Sequence, residues 1–178
     1  IGLEVVEALT LVRSTPKAVS KNLREMRVGK FEGNNFHASA GRCQVTKEGQ
    51  AVVNEAIAFC DAFNPSAAAA VLSHPLLALS AADHVADIGL LGLASHTGSD
   101  NACKPVMRMQ RYGEWKHKVG ECLWYGTQPV TGYQIVEDLI VDDGVKTRGH
   151  RLGVYDPMYH FVGVFVGFHK TFGYCCCI

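Results

Sequence analysis

Asp142-Asp143-Gly144-Val145-Lys146-Thr147-Arg148-Gly149-His150-Arg151 joins the acidic end of an apolar, helix-period segment to a histidine beside a glycine turn. Upstream, Thr131-Gly132-Tyr133-Gln134 has the form of a capping box, in which the Thr and Gln side chains satisfy backbone groups of a first helical turn. The helix it opens should end at Gly144. A carboxylate and an imidazole at this spacing are unusual for a plain core segment, so the stretch marks a site as well as an element end. Ser95-His96-Thr97-Gly98-Ser99-Asp100 and Gly120-Glu121-Cys122-Leu123-Trp124-Tyr125-Gly126 can bring a second histidine and a second carboxylate to it.

Outward from this stretch, helices dominate the first half and strands the last third. Leu3, Val6, Leu9 and Val12 form a helical stripe. Thr15-Pro16 restarts a helix to about Met26, with Thr as N-cap and Pro in the first turn. Residues 28–45 read as irregular, because Gly29, Gly33, Asn34, Asn35 and Gly41 break any period. Thr46 should cap a helix through Phe63, with Val53, Ile57 and Cys60 on one face. Ser73 should open another, carrying His84 and ending at Gly89. Residues 95–103 read as a loop, Pro105–Tyr112 as a short helix and Val119–Tyr125 as a strand. Residues 161–168 alternate as a strand should, and His169-Lys170-Thr171 should turn it into a second strand through Ile178. In that last strand Cys175 and Cys177 share one face and Cys176 takes the other. The pattern predicts an α/β arrangement with helices packed on an antiparallel sheet.

At 178 residues the chain reads as one domain, residues 1–178, able to build a core without disulfides. Seventeen basic and seventeen acidic residues balance to zero, which argues against bulk electrostatic binding of nucleic acid or anionic membrane. No apolar run reaches the length of a transmembrane segment. No basic segment followed by an apolar one opens the chain, so no signal peptide is visible. Ile1 stands first, so an upstream segment is expected to have been removed or left out. Seven cysteines include no C-x-x-C pair, which weakens a structural zinc reading. They are either small buried apolar residues or members of one or two disulfides.

The motifs together resemble the CAP superfamily of cysteine-rich secretory, antigen 5 and pathogenesis-related proteins, in its SCP-like extracellular branch. The resemblance is carried by Glu7–Ala18, Ala82–Gly89, Ser95–Asp100, Arg111-Tyr112-Gly113, Gly120-Glu121, Trp124–Gly126, the 142–151 stretch and Val162–Gly167. It implies an α/β fold, a three-layer α-β-α sandwich with a mainly antiparallel sheet. It also implies a secreted, extracellular protein with a cleft tetrad, which by position is His96, Glu121, Asp142 and His150. Asp143 competes with Asp142, but consecutive helical residues point about 100° apart, so one alone should face the cleft. The resemblance further implies a divalent cation, zinc or another, on His96 and His150, and a lipid, sterol or protein partner.

The chemistry also stands on the residues. Neutral imidazoles suit zinc, two of them leave positions open, and carboxylates orient them or accept protons. The same four groups can instead form a metal-free polar cluster. The leading expectation is a binding domain without enzymatic turnover. The alternatives are a metal-assisted hydrolase of peptide or cell-wall substrates, in which Glu121 is the catalytic candidate, and a protein-interaction scaffold braced by the cluster.

Cys122 stands where the family has Asn and tempts a Cys-His reading, but on a strand it faces away if Glu121 faces the cleft. Ser95 and Ser99 lack a nucleophile-elbow context. Met107 and Cys103 depart from the family around the loop after His96. The basic run Lys104–Lys118 reads as a solvated face, with an acidic-ligand patch as alternative. His84 reads as a structural helix residue and His169 as an exposed turn residue. His37, His74, His117 and His160 carry no pattern, and Trp124 and Tyr125 should fill core or line the cleft floor.

Overall fold

The computed structural model describes residues 1–38, 42–65, 70–100, 104–128 and 130–178. Two helices open the chain, α1 (Gly2–Ser14) and α2 (Pro16–Met26). Val5, Ala8, Leu9 and Val12 bury one face of α1, at the spacing a helix needs. Thr15 occupies the N-cap of α2, but its side chain does not cap that helix. Its hydroxyl donates to the Leu11 carbonyl at 2.7 Å and so closes α1, while Pro16 starts α2.

The stretch read as irregular is ordered instead as a meander of β1 (Phe31–Glu32), β2 (Asn35–Ala38) and β3 (Arg42–Val45). Glu32 pairs with Asn35, so Gly33-Asn34 is a two-residue hairpin turn, and Gly33 takes a φ of 58°. The glycine and asparagine that hid the strands are what the turn requires.

Helix α3 (Gln50–Ala62) begins four residues after Thr46. The Thr46 hydroxyl donates to Asn34 and accepts from the Gly49 amide, which holds the turn before the helix. Val53, Ile57 and Cys60 are buried as their spacing predicts.

Strand β4 (Leu72–Ser73) precedes α4 (Pro75–Leu91). Helix α4 passes Gly89 and is closed by Gly92 in the left-handed region, with φ 72°. Short helix α5 (Pro105–Gln110) is followed by β5 (Leu123–Gly126). The capping box forms as read: the Gln134 amide donates to the Thr131 hydroxyl, and the Thr131 amide to the Gln134 side chain. It opens α6 (Gly132–Val141), which stops at Asp142 rather than Gly144. Helix α7 (Gly149–Tyr155) lies where the residue pattern predicts only a turn.

The expected strand over 161–168 is two strands, β6 (Phe161–Val162) parallel to β4, and β7 (Phe165–His169). The break falls at Gly163, whose backbone lies against Leu77 and Ala78 so closely that a Cβ would sit 2.0 Å from the Leu77 carbonyl carbon. The last strand, β8 (Gly173–Cys177), is central in an antiparallel sheet of order β5-β8-β7.

The cysteines alternate as the strand period requires. Cys175 and Cys177 join Leu123 against Ala81, Val85 and Ile88 of α4. Cys176 and Trp124 join the larger core with Val5, Val12, Ile135 and Ile140. The molecule is thus a mixed helix and strand fold whose sheets are small. No helix among the described residues is long and apolar enough to cross a membrane. Of the cysteines, Cys43, Cys60, Cys122, Cys175, Cys176 and Cys177 are free thiols, and Cys103 lies outside the described residues.

His169 is not the exposed turn residue the sequence suggested; it is fully buried. Its Nε2 bonds the Leu93 carbonyl at 3.0 Å, while Nδ1 accepts from the amides of Thr171 and Phe172. That pattern fixes the neutral Nε2–H tautomer. The ring ties the β7–β8 hairpin to the end of α4.

Candidate functional site

The four candidate residues form two histidine–carboxylate pairs. Asp142 closes α6 in the left-handed region, with φ 58°. This turns its side chain back over the start of α7, where one oxygen accepts from the amides of His150 (3.0 Å) and Arg151 (3.2 Å). The other oxygen meets His150 Nδ1 at 2.7 Å. Asp143 points elsewhere and accepts from the amides of Lys47 and Glu48. Asp142 is therefore the acid beside the histidine, and the left-handed turn after Val141, not a helical offset, separates it from Asp143.

Arg148 and Arg151 hold this turn in place. Arg148 donates to the carbonyls of Asp142 and Val145 and pairs with Glu48 and Glu55. Arg151 is buried and donates to the carbonyls of Ile140 and Val141, the last of α6, and to Glu55. Cations at a helix C-terminus complement its dipole as well as its unpaired carbonyls.

Glu121 lies just before β5, where Cys122 already exchanges backbone hydrogen bonds with Ile178. Its carboxylate is buried, and one oxygen meets His96 Nδ1 at 2.7 Å. The other accepts from the buried Arg108 guanidinium and from the Cys177 thiol at 3.3 Å. Arg108 also donates to the His96 carbonyl at 3.1 Å. His84, fully buried, donates through Nε2 to the Ser95 carbonyl and lies 3.8 Å from Glu121.

Burial alone would raise the Glu121 carboxyl, but the His96 hydrogen bond and the charge and hydrogen bond of Arg108 outweigh it and hold it below the usual range. Burial pushes His84 the other way, below the ordinary imidazole value, so it rests neutral. The interior member of the pair stays ionised, and His96 stands half exposed.

Both histidines are thus oriented through Nδ1 by a carboxylate, and each keeps Nε2 as its remaining ring nitrogen. Two imidazoles of this kind have the donor chemistry of a zinc site. Among the described residues, however, no group of three or more His, Cys, Asp or Glu side chains gathers in metal-holding geometry. Cys122 stands between the pairs: burial first, then the charges of Asp142 and Glu121, push its thiol up to about 12. A thiol of that kind is protonated at neutral pH and packs as core. Ser95 and Ser99 serve their own loop, one hydroxyl accepting from the Thr97 amide and the other donating to Asp87.

No family model, curated protein or solved structure matches the chain. The site is thus read from its own geometry and from the motifs. Arg108, His84 and Cys177 as partners of Glu121 were not legible beforehand. Arg108 stood only as one member of the basic run, and nothing local marks a guanidinium that reaches a carboxylate thirteen positions on. The run itself is dispersed: Arg108 is buried, Arg111 stands near Asp83 and Lys118 pairs with Asp156. Met107, beside Arg108, is exposed.

Proposed function

We propose that the chain is a secreted, non-catalytic binding domain of the CAP superfamily, a single α-β-α sandwich over residues 1–178. In this reading it captures a divalent cation, zinc first, through His96 and His150. One observation carries it: each Nδ1 lies 2.7 Å from a buried carboxylate, which fixes the ring and leaves Nε2 to ligate. The bound ion would hold water or a ligand oxygen at its open positions. Glu121 and Asp142 keep the rings aimed. The protonated Cys122 thiol supports binding over nucleophilic chemistry.

Calorimetric titration with zinc tests it. The wild type should bind one ion, and His96→Ala and His150→Ala should each weaken binding by at least about tenfold to a hundredfold. Equal, negligible heats in all three would remove the metal reading.

The burial of Glu121 against Arg108 and His84 favours a second reading, a protein-interaction scaffold braced by the polar cluster. It expects His150→Ala to lower stability, with no zinc heat in any variant.

A further inference from the structure

A cavity of about 190 Å³ lies beside Glu121, with Leu9, Arg13, Ser80, Val154, Phe161 and Ile178 among its walls. Most of that wall is apolar, yet it includes a buried cation. Arg13 is 1% exposed. Its two terminal nitrogens donate to the carbonyls of Tyr159 and Asp156, each at 2.9 Å. Its Nε has no hydrogen-bond partner.

Among the described residues, no carboxylate is bonded to this guanidinium. The nearest acid, Asp156, directs its side chain to Lys118 at 2.5 Å and to the Met158 amide. Glu121, the acid that lines the wall, is taken by Arg108, His96 and Cys177. Burial lowers the basicity of Arg13, and Asp156 offsets this only in part. A desolvated cation with a spare donor and no bonded counter-charge is costly to keep in an apolar wall. An anion inside the cavity removes that cost.

We propose that this cavity binds a small organic carboxylate with a compact apolar body, its carboxylate on Arg13 and its body in the chamber. The size sets the class. An apolar cavity of ~150 Å³ admits benzene, so this one admits a ring with a short acid arm. A sterol or a long acyl chain is too large. Lys118 lines the same cavity, half exposed and paired with Asp156. The site uses neither histidine and does not rest on the metal reading.

The test is calorimetry in chelator with three probes of one shape: phenylacetate, phenylethanol and phenethylammonium. Phenylacetate should bind at one site, at least about tenfold tighter than phenylethanol, because its hydrogen bonds to Arg13 are charge-assisted. Phenethylammonium should give no heat. Arg13→Gln should bring phenylacetate and phenylethanol to similar affinity. Because that variant also loosens the Tyr159 and Asp156 carbonyls, Ser80→Leu provides the second arm, filling the chamber and abolishing binding of both. Equal affinity of the wild type for phenylacetate and phenylethanol, or no phenylacetate binding, overturns the proposal. So does unchanged phenylacetate binding in Ser80→Leu.

Discussion

Asp142 does three things at once. It ends α6 in a left-handed conformation, accepts two α7 amides and orients His150. Left-handed backbone is costly for most residues but is tolerated by Asp and Asn, whose short side chains bond locally. A helical offset predicts only that one of Asp142 and Asp143 faces the histidine, but α6 ends at Val141, and it is the left-handed backbone of Asp142 that turns its side chain to α7. Arg151 shows what was not legible: a guanidinium that caps the helix before its own from inside the core. Arg151→Met should cost roughly 2–4 kcal/mol, since the Ile140 and Val141 carbonyls lose their donor. Its Glu55 partner is half exposed and adds little. Arg111→Met, which breaks only the 3.7 Å exposed pair with Asp83, should cost less than about 0.5 kcal/mol. Urea unfolding of both variants measures the difference, and equal losses would refute the carbonyl-clamp argument.

At the scale of elements, sequence signals worked where they were local. Thr131 and Gln134 announce α6 because both halves of the capping box lie within one turn. Helix α7 was missed for the opposite reason. It has Arg148 at its N-cap and no local capping side chain, and its first amides bond a carboxylate eight and nine residues back. The β1–β3 meander was missed because two- and four-residue strands are too short to show alternation. What holds the 142–151 turn to the segment just before α3 is equally non-local, with Arg148 pairing to Glu48 and the Gly144 amide donating to it. Those two interactions depress the Glu48 carboxyl to about 2, the Arg148 hydrogen bond being the larger cause. The folded value lies below the unfolded one, near ~4.3. The stabilisation is therefore complete above that unfolded value and is lost as pH falls toward about 2. Glu48→Gln should flatten this acid decline, seen as a smaller change in urea midpoint between neutral pH and the acid limb. An unchanged slope would show that Glu48 is not a source of the decline.

Across the whole molecule, the sheet order and the Glu121 cluster depend on how closely α4 can approach β7. Strand periodicity announced the β7–β8 hairpin, and the alternation of Cys175, Cys176 and Cys177 gave its faces. The break at Gly163 and the burial of His169 follow from α4 lying against that hairpin, which no window along the chain reports. Gly89 marks the approach. A Cβ there would sit 2.2 Å from the Phe168 carbonyl oxygen, a backbone atom that cannot swing aside. The Lys170 amide also donates to the Gly89 carbonyl at 2.8 Å, so helix and hairpin are bonded at the same point. The sequence reading took Gly89 as a helix stop, whereas its role is to let a strand pass. Gly89→Ala would favour the helix locally by about 1 kcal/mol. The forced separation should still make it destabilising by about 1–3 kcal/mol net. Because α4 carries His84 and leads to His96, the displacement should also weaken zinc binding if the His96–Glu121 pair is the metal-orienting unit. Gly113→Ala is the control, since a Cβ there meets nothing within 4 Å, and it should stay within about 0.5 kcal/mol. Thermal and urea unfolding of the two variants decide the point. A Gly89→Ala protein as stable as wild type would mean that α4 and β7 are not packed at this distance.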